Sequence, residues 1–172
     1  MDSLALQKIA DLAKEAVIIA WRAQGHELTG NAVRELETRI IQTSTLSIID
    51  GLVVDYMVPN NTGVTAARIP YSPGSGAKTS KYIDGLIRYA KQRMGASDKE
   101  AKGIAFAIAS RHKKEGMPTV ASAKFSSTGK RTGFIEAALD SKEAEFEQII
   151  NDAVEEAITV TIDNYYKSVL QR

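Results

Sequence analysis

The feature that most narrows the fold is Ser97-Asp98-Lys99-Glu100, followed by Ala101, Ile104, Ala105, Ile108 and Ala109. The first four residues form a capping box, in which a serine hydroxyl and a glutamate carboxylate satisfy opposite orphan amides at a helix start. The apolar residues behind it recur at helical spacing. Several are alanines, which let another helix approach closely. Gly116 and Pro118 supply the stop. Residues 80–94 read as a second helix, with Ser80 as N-cap, Tyr82, Ile83, Leu86, Ile87, Ala90 and Met94 as its apolar face, and Gly95 as its end.

Residues 3–24 read as a helix on the spacing of Ala5, Ile9, Leu12, Ala16, Ile19 and Ala20. Leu36, Thr38 and Ile40 alternate with Glu35, Glu37 and Arg39, the period of a half-buried strand. Thr43-Ser44 makes a turn into a second apolar run, Thr45 to Asp55, whose latter half fits strand or helix. Tyr56 to Asn61 is predicted to open a long irregular stretch over 59–79, on the strength of Pro59, Asn60, Asn61, Gly63, Pro70 and Pro73. Residues 117–131 form a basic Ser/Thr-rich loop. A last helix is predicted from Asp140 to about Val169, through Phe146, Ile149, Ile150, Ala153, Ala157 and Val160. Such a helix packs either on a partner chain or back over its own sheet.

The predicted fold class is therefore α+β: a small antiparallel sheet flanked by helices, with a long C-terminal helix. The predicted organisation is a domain over 1–140 and a helical arm over 141–172. At 172 residues the chain can bury a core without a metal or disulfide. It holds no cysteine, which excludes a thiol nucleophile, a cysteine zinc site and an iron–sulfur cluster. No apolar run approaches the ~20 residues of a membrane-spanning helix. The start of the chain lacks a secretory leader's pattern, so a cytosolic site of synthesis is expected.

The net charge of +1 hides a segregated distribution. Residues 1–60 carry −3, residues 61–134 carry +10 and residues 135–172 carry −6. Such a chain can associate with copies of itself head to tail, or lay its positive segment along phosphates. Block charge of this kind also arises from solvated helix faces.

Catalytic constellations are weak. Ser72 to Thr79 resembles a phosphate-binding loop, but Ser72 and Ala77 stand where its glycines belong, and no buried strand precedes it. His26 sits in a loop beside Glu27. His112 lies near a helix end among Arg111, Lys113 and Lys114, and reads as a solvated surface group. Neither histidine belongs to a nucleophile turn. Trp21 reads as a packing residue. These readings point to no catalytic residue, no metal ligand and no cofactor, so a non-enzyme is expected.

Tyr82 to Lys91, Ser97 to Glu100, Ile104 to Ala109 and Lys113 to Thr119 together resemble the tail-completion type of neck protein from tailed bacteriophages. Lys130 to Ile135 resembles that family's loop into its last helix, and Asp55-Tyr56 with Gly63-Val64 resembles its upstream element. The resemblance covers roughly residues 50–140. It implies an α+β fold and a structural virion protein at the head–tail junction, built as a homo-oligomeric ring of six- or twelve-fold symmetry. The implied partners are other copies, the portal-side connector and tail proteins, and DNA passing through the lumen.

In that setting Arg68, Lys78, Lys81, Lys113, Lys114, Lys124, Lys130 and Arg131 are candidates for a subunit interface or the DNA lumen. Glu143, Glu147, Glu155 and Glu156 are the acidic interface candidates. The alternative reading is a non-specific DNA-binding protein acting through residues 61–134.

Overall fold

The computed structural model describes residues 3–74 and 80–170. It is an α+β structure, mostly helical, with a two-stranded antiparallel sheet and a long C-terminal helix. The chain groups into two compact units. One contains Met1–Ala20, Val33–Val53 and Ile135–Arg172, and the other Trp21–Ala32 and Val54–Phe134.

The first unit takes most of helix α1 (Ser3–Ala23), which buries Leu6, Ala10 and Val17. Strands β1 (Glu37–Gln42) and β2 (Ser47–Leu52) form the hairpin. Its register pairs Arg39 with Asp50, whose side chains form a 2.7 Å ion pair across the strands. Thr43 makes the turn: its N–H donates to the Leu46 carbonyl at 2.8 Å, and its hydroxyl oxygen accepts from the Leu46 amide at 3.0 Å. The same unit holds most of the last two helices. The sequence suggests one helix from Asp140. Instead helix α6 (Phe134–Asp140) begins earlier and is separated from helix α7 (Glu143–Leu170) by Ser141 and Lys142. There the Ser141 hydroxyl donates to the Ala138 carbonyl at 2.7 Å, a local bond that competes with helix continuation.

The second unit is organised by helices α4 (Lys81–Met94) and α5 (Asp98–Glu115), which pack on each other. Both begin where the sequence signals them. The Ser80 hydroxyl accepts from the Ile83 amide at 3.3 Å, and Glu100 accepts from the Ser97 amide at 3.0 Å. Ala101, Ala105 and Ala109 are fully buried, so the small side chains do set the close approach. Ile83, Tyr82, Leu86, Ile87 and Phe106 complete this cluster with Tyr71.

The stretch predicted irregular from Tyr56 holds more order than its prolines and asparagines suggest. Helix α3 (Met57–Thr62) follows the short α2 (Asn31–Glu35) in the helix series and buries Met57 and Asn61. Pro59 is tolerated because it lies in the first turn, where its missing N–H would have no helical partner. A 3₁₀ turn, Ala66–Arg68, packs against α5. A second one, Val120–Phe125, lies within the basic loop. Val64 and Met117 exchange backbone hydrogen bonds of 2.7 and 2.8 Å. Gly116 makes that pairing possible: its φ is +84°, and a Cβ there would lie 2.7 Å from the Val64 carbonyl oxygen.

Candidate functional site

The second unit contains a partly open cavity of about 770 Å³. That is within the ~300–1,000 Å³ range of small-molecule pockets. One wall is the segment after α1, running from His26 to Ala32. Another is the face of α4 bearing Arg88, Tyr89, Gln92 and Arg93, and a third is the 120–125 turn with Lys124 and Phe125.

An aromatic cluster organises the first wall. Trp21 is almost wholly buried, with His26 stacked on it at 4.6 Å between ring centres and Phe134 edge-on at 5.2 Å. Gln24 holds the neighbouring segment by donating to the Thr132 carbonyl at 3.1 Å. Arg131 donates to the Gly25 carbonyl at 3.2 Å and lies 3.4 Å from His26 Nδ1. His26 Nε2 is 3.3 Å from Gln24 Oε1, so the neutral ring fits with its proton on Nε2 and Nδ1 accepting from Arg131. Burial, with the Arg131 charge beside it, lowers the His26 pKa to about 4. His26 is thus neutral near pH 7. Burial also pushes the Arg131 pKa below its usual value.

His112 differs from its expected solvated state. It is half-buried and shares a 2.7 Å hydrogen bond with the Tyr82 hydroxyl. Burial lowers the His112 pKa and raises that of Tyr82 to about 12. Both groups therefore stay neutral across the physiological range, a state suited to a structural bond. Among the described residues, no group of three His, Asp or Glu side chains gathers as a metal site requires.

The described basic candidates all lie in the second unit. Arg68, Lys81, Lys114 and Lys130 are exposed. Lys113 is committed to the fold, donating to the Ile69 carbonyl at 3.1 Å, and Arg131 is committed likewise to Gly25. Lys124 lies over the Phe125 ring at 5.1 Å and, with Arg131, lines the cavity. Lys78, and with it the end of the loop resembling a phosphate-binding turn, lies outside the described residues. Sequence reasoning missed Arg88 and Arg93. Their signal was present in the i,i+4 pairs Arg88/Gln92 and Tyr89/Arg93, two neighbouring rows along α4.

The acidic candidates Glu143, Glu147, Glu155 and Glu156 are all exposed on α7. This helix has no buried residue, and every described residue from Val154 onward is exposed. Val154, Ile158, Ile162, Tyr165 and Val169 are each about half exposed or more. At roughly 100° per residue these five fall within an arc of about 80°, a single apolar stripe. Glu155 borders that stripe, while Asp152, Glu156 and Asp163 lie on the opposite side. Covering each half-exposed side chain is worth roughly 1 kcal/mol. The segment is also rich in β-branched residues, among them Val154, Ile158, Thr159, Val160, Thr161 and Ile162. Such residues are weak helix formers, and most helices in proteins draw their stability from packing.

No helix among the described residues is long and apolar enough to cross a membrane. No family model, curated protein or solved structure matches the chain.

Proposed function

We propose that this chain is a structural assembly protein, a homo-oligomeric ring component of the neck of a tailed bacteriophage, of the tail-completion type. The observation that carries the assembly reading is the α7 stripe of Val154, Ile158, Ile162, Tyr165 and Val169, exposed along a helix with no buried residue. Contiguous apolar surface of this kind marks a protein–protein contact. The hairpin adds a second open surface. Each strand of a two-stranded sheet is an edge, and Ile41, Leu46, Ile48 and Leu52 are exposed on it.

The placement at the phage head–tail junction rests on the likeness of residues 50–140 to that family, and the α+β fold with its small antiparallel sheet agrees with it. In this reading the protein's work is mechanical: it links identical copies, and it links the portal-side connector to the tail. The exposed cations Arg68, Lys81, Lys114 and Lys130 suit weak, sequence-independent contact with passing DNA. The same cations favour the second reading, a non-specific DNA-binding protein, which predicts retardation of duplex DNA that weakens steeply with salt.

The test is the protein composition of purified virions, with immunogold labelling for position. The chain should be present in a fixed small copy number at the neck. Particles that are complete and infectious without it would overturn the reading.

A further inference from the structure

The cavity of the second unit has a composition that selects its occupant. Its rim is apolar and open, with Leu28, Tyr56, Met94 and Phe125 each about two-fifths to one-half exposed. Cations stand around that rim, with Arg88 and Lys124 exposed to solvent. An apolar groove edged by positive charge fits an amphipathic helix that is apolar on one face and acidic beside it. Helix α7 has that chemistry. Its uncovered apolar stripe is bordered by Glu155, and the helix carries seven carboxylates against one lysine.

We propose that α7 of one copy seats its apolar stripe in the second-unit cavity of a neighbouring copy, with Glu155, which borders the stripe, facing Arg88 and Lys124. The occupant is thus a second copy of this chain, and the inference rests on the assembly reading above while naming its contact. Two different surfaces of one chain then meet, which is a heterologous interface. Such an interface closes into a ring when its rotation allows, and otherwise propagates as a filament. Charge complementarity orients the helix, and the apolar stripe supplies the affinity. A cavity of about 770 Å³ receives a few anchoring side chains, such as Ile158, Ile162 and Tyr165, while the helix backbone lies across its mouth.

The chain has no cysteine, so engineered thiols report cleanly. The test uses the full chain carrying both Leu28→Cys and Ile158→Cys, treated with a short bismaleimide. A ladder of covalent multimers is expected. Adding Arg88→Glu and Lys124→Glu should cut ladder formation at least about tenfold, as should adding Glu155→Lys. Combining all three charge changes should restore it.

A single internally linked chain would overturn the proposal, as would a ladder indifferent to the charge changes or one that the combination fails to restore. The outcome is separable from the neck reading. Virions that contain the chain while charge exchange fails to restore the ladder would remove this seat and leave the virion role standing. A restored ladder with virions lacking the chain would do the reverse.

Discussion

The imidazole of His26 stacks on the indole of Trp21 with ring centres 4.6 Å apart and planes inclined by 28°. The stack lies against Phe134, more than a hundred residues further along the chain, so it joins the segment after α1 to the start of α6. Its proton affinity makes it sensitive to acid. The folded pKa of about 4 is below the ordinary value of 6.5. Between these two values the unfolded chain binds the proton more readily, so stability falls as pH drops from about 6.5 towards 4 and is fully present above. The lowered pKa of His112 acts in the same direction. Urea unfolding midpoints measured from pH 7 to pH 4.5 should decline, and His26→Gln should flatten the decline. An unchanged slope in the variant would contradict the assignment.

The same cluster predicts unequal costs for its two largest members. Phe134 is fully buried, and Phe134→Ala should cost about 3–5 kcal/mol of unfolding free energy. Trp21→Phe should cost much less. Trp21 Nε1 is buried and makes no hydrogen bond among the described residues, so losing the donor offsets part of the lost ring. Denaturant unfolding of the two variants measures the difference directly.

Two glycines should respond oppositely to alanine. At Gly116 the φ is +84°, and an alanine Cβ would sit 2.7 Å from the Val64 carbonyl oxygen, so Gly116→Ala should destabilise by about 2 kcal/mol or more. Gly85 lies inside α4 with nothing within 4 Å of a Cβ, so Gly85→Ala should stabilise by about 0.5–1 kcal/mol. Thermal unfolding should place the two variants on opposite sides of the wild-type midpoint.

Helix α5 should depend on its cap. Ser97→Ala removes the hydroxyl that bonds Glu100 at 2.6 Å and should cost about 1 kcal/mol. The cost should be read at pH 7, where Glu100 is ionised; its pKa is held low chiefly by the Ser97 hydroxyl bond.

The helices α4 and α5 were legible because their information is local. Ser80, Gly95, Ser97, Glu100 and Gly116 each act within a turn of their own position. The hairpin turn at Thr43 was legible for the same reason. Helix α3 was not, because Pro59, Asn60 and Asn61 carry loop signals, and only the fold shows Pro59 in a first turn, where it is tolerated, and Asn61 buried. The start of α6 at Phe134 was hidden too: Phe134 is buried against Trp21 and His26 rather than in a periodic stripe. The cavity required knowing that the segment after Trp21, one face of α4 and the 120–125 turn converge, and no local pattern encodes that. The segregation of charge was visible in the chain. What it lacked was the finding that α7 carries Glu155 beside an apolar stripe left uncovered among the described residues.

The account turns on that stripe being covered by another copy. The direct measurement is the mass of the intact chain by native mass spectrometry and sedimentation across a range of concentrations, beside a variant with Ile158→Asp and Ile162→Asp. The account predicts a closed oligomer for the wild type and a folded monomer for the variant, with helical content largely kept. A wild-type chain that stays monomeric at every concentration, or a variant that assembles equally well, would contradict it.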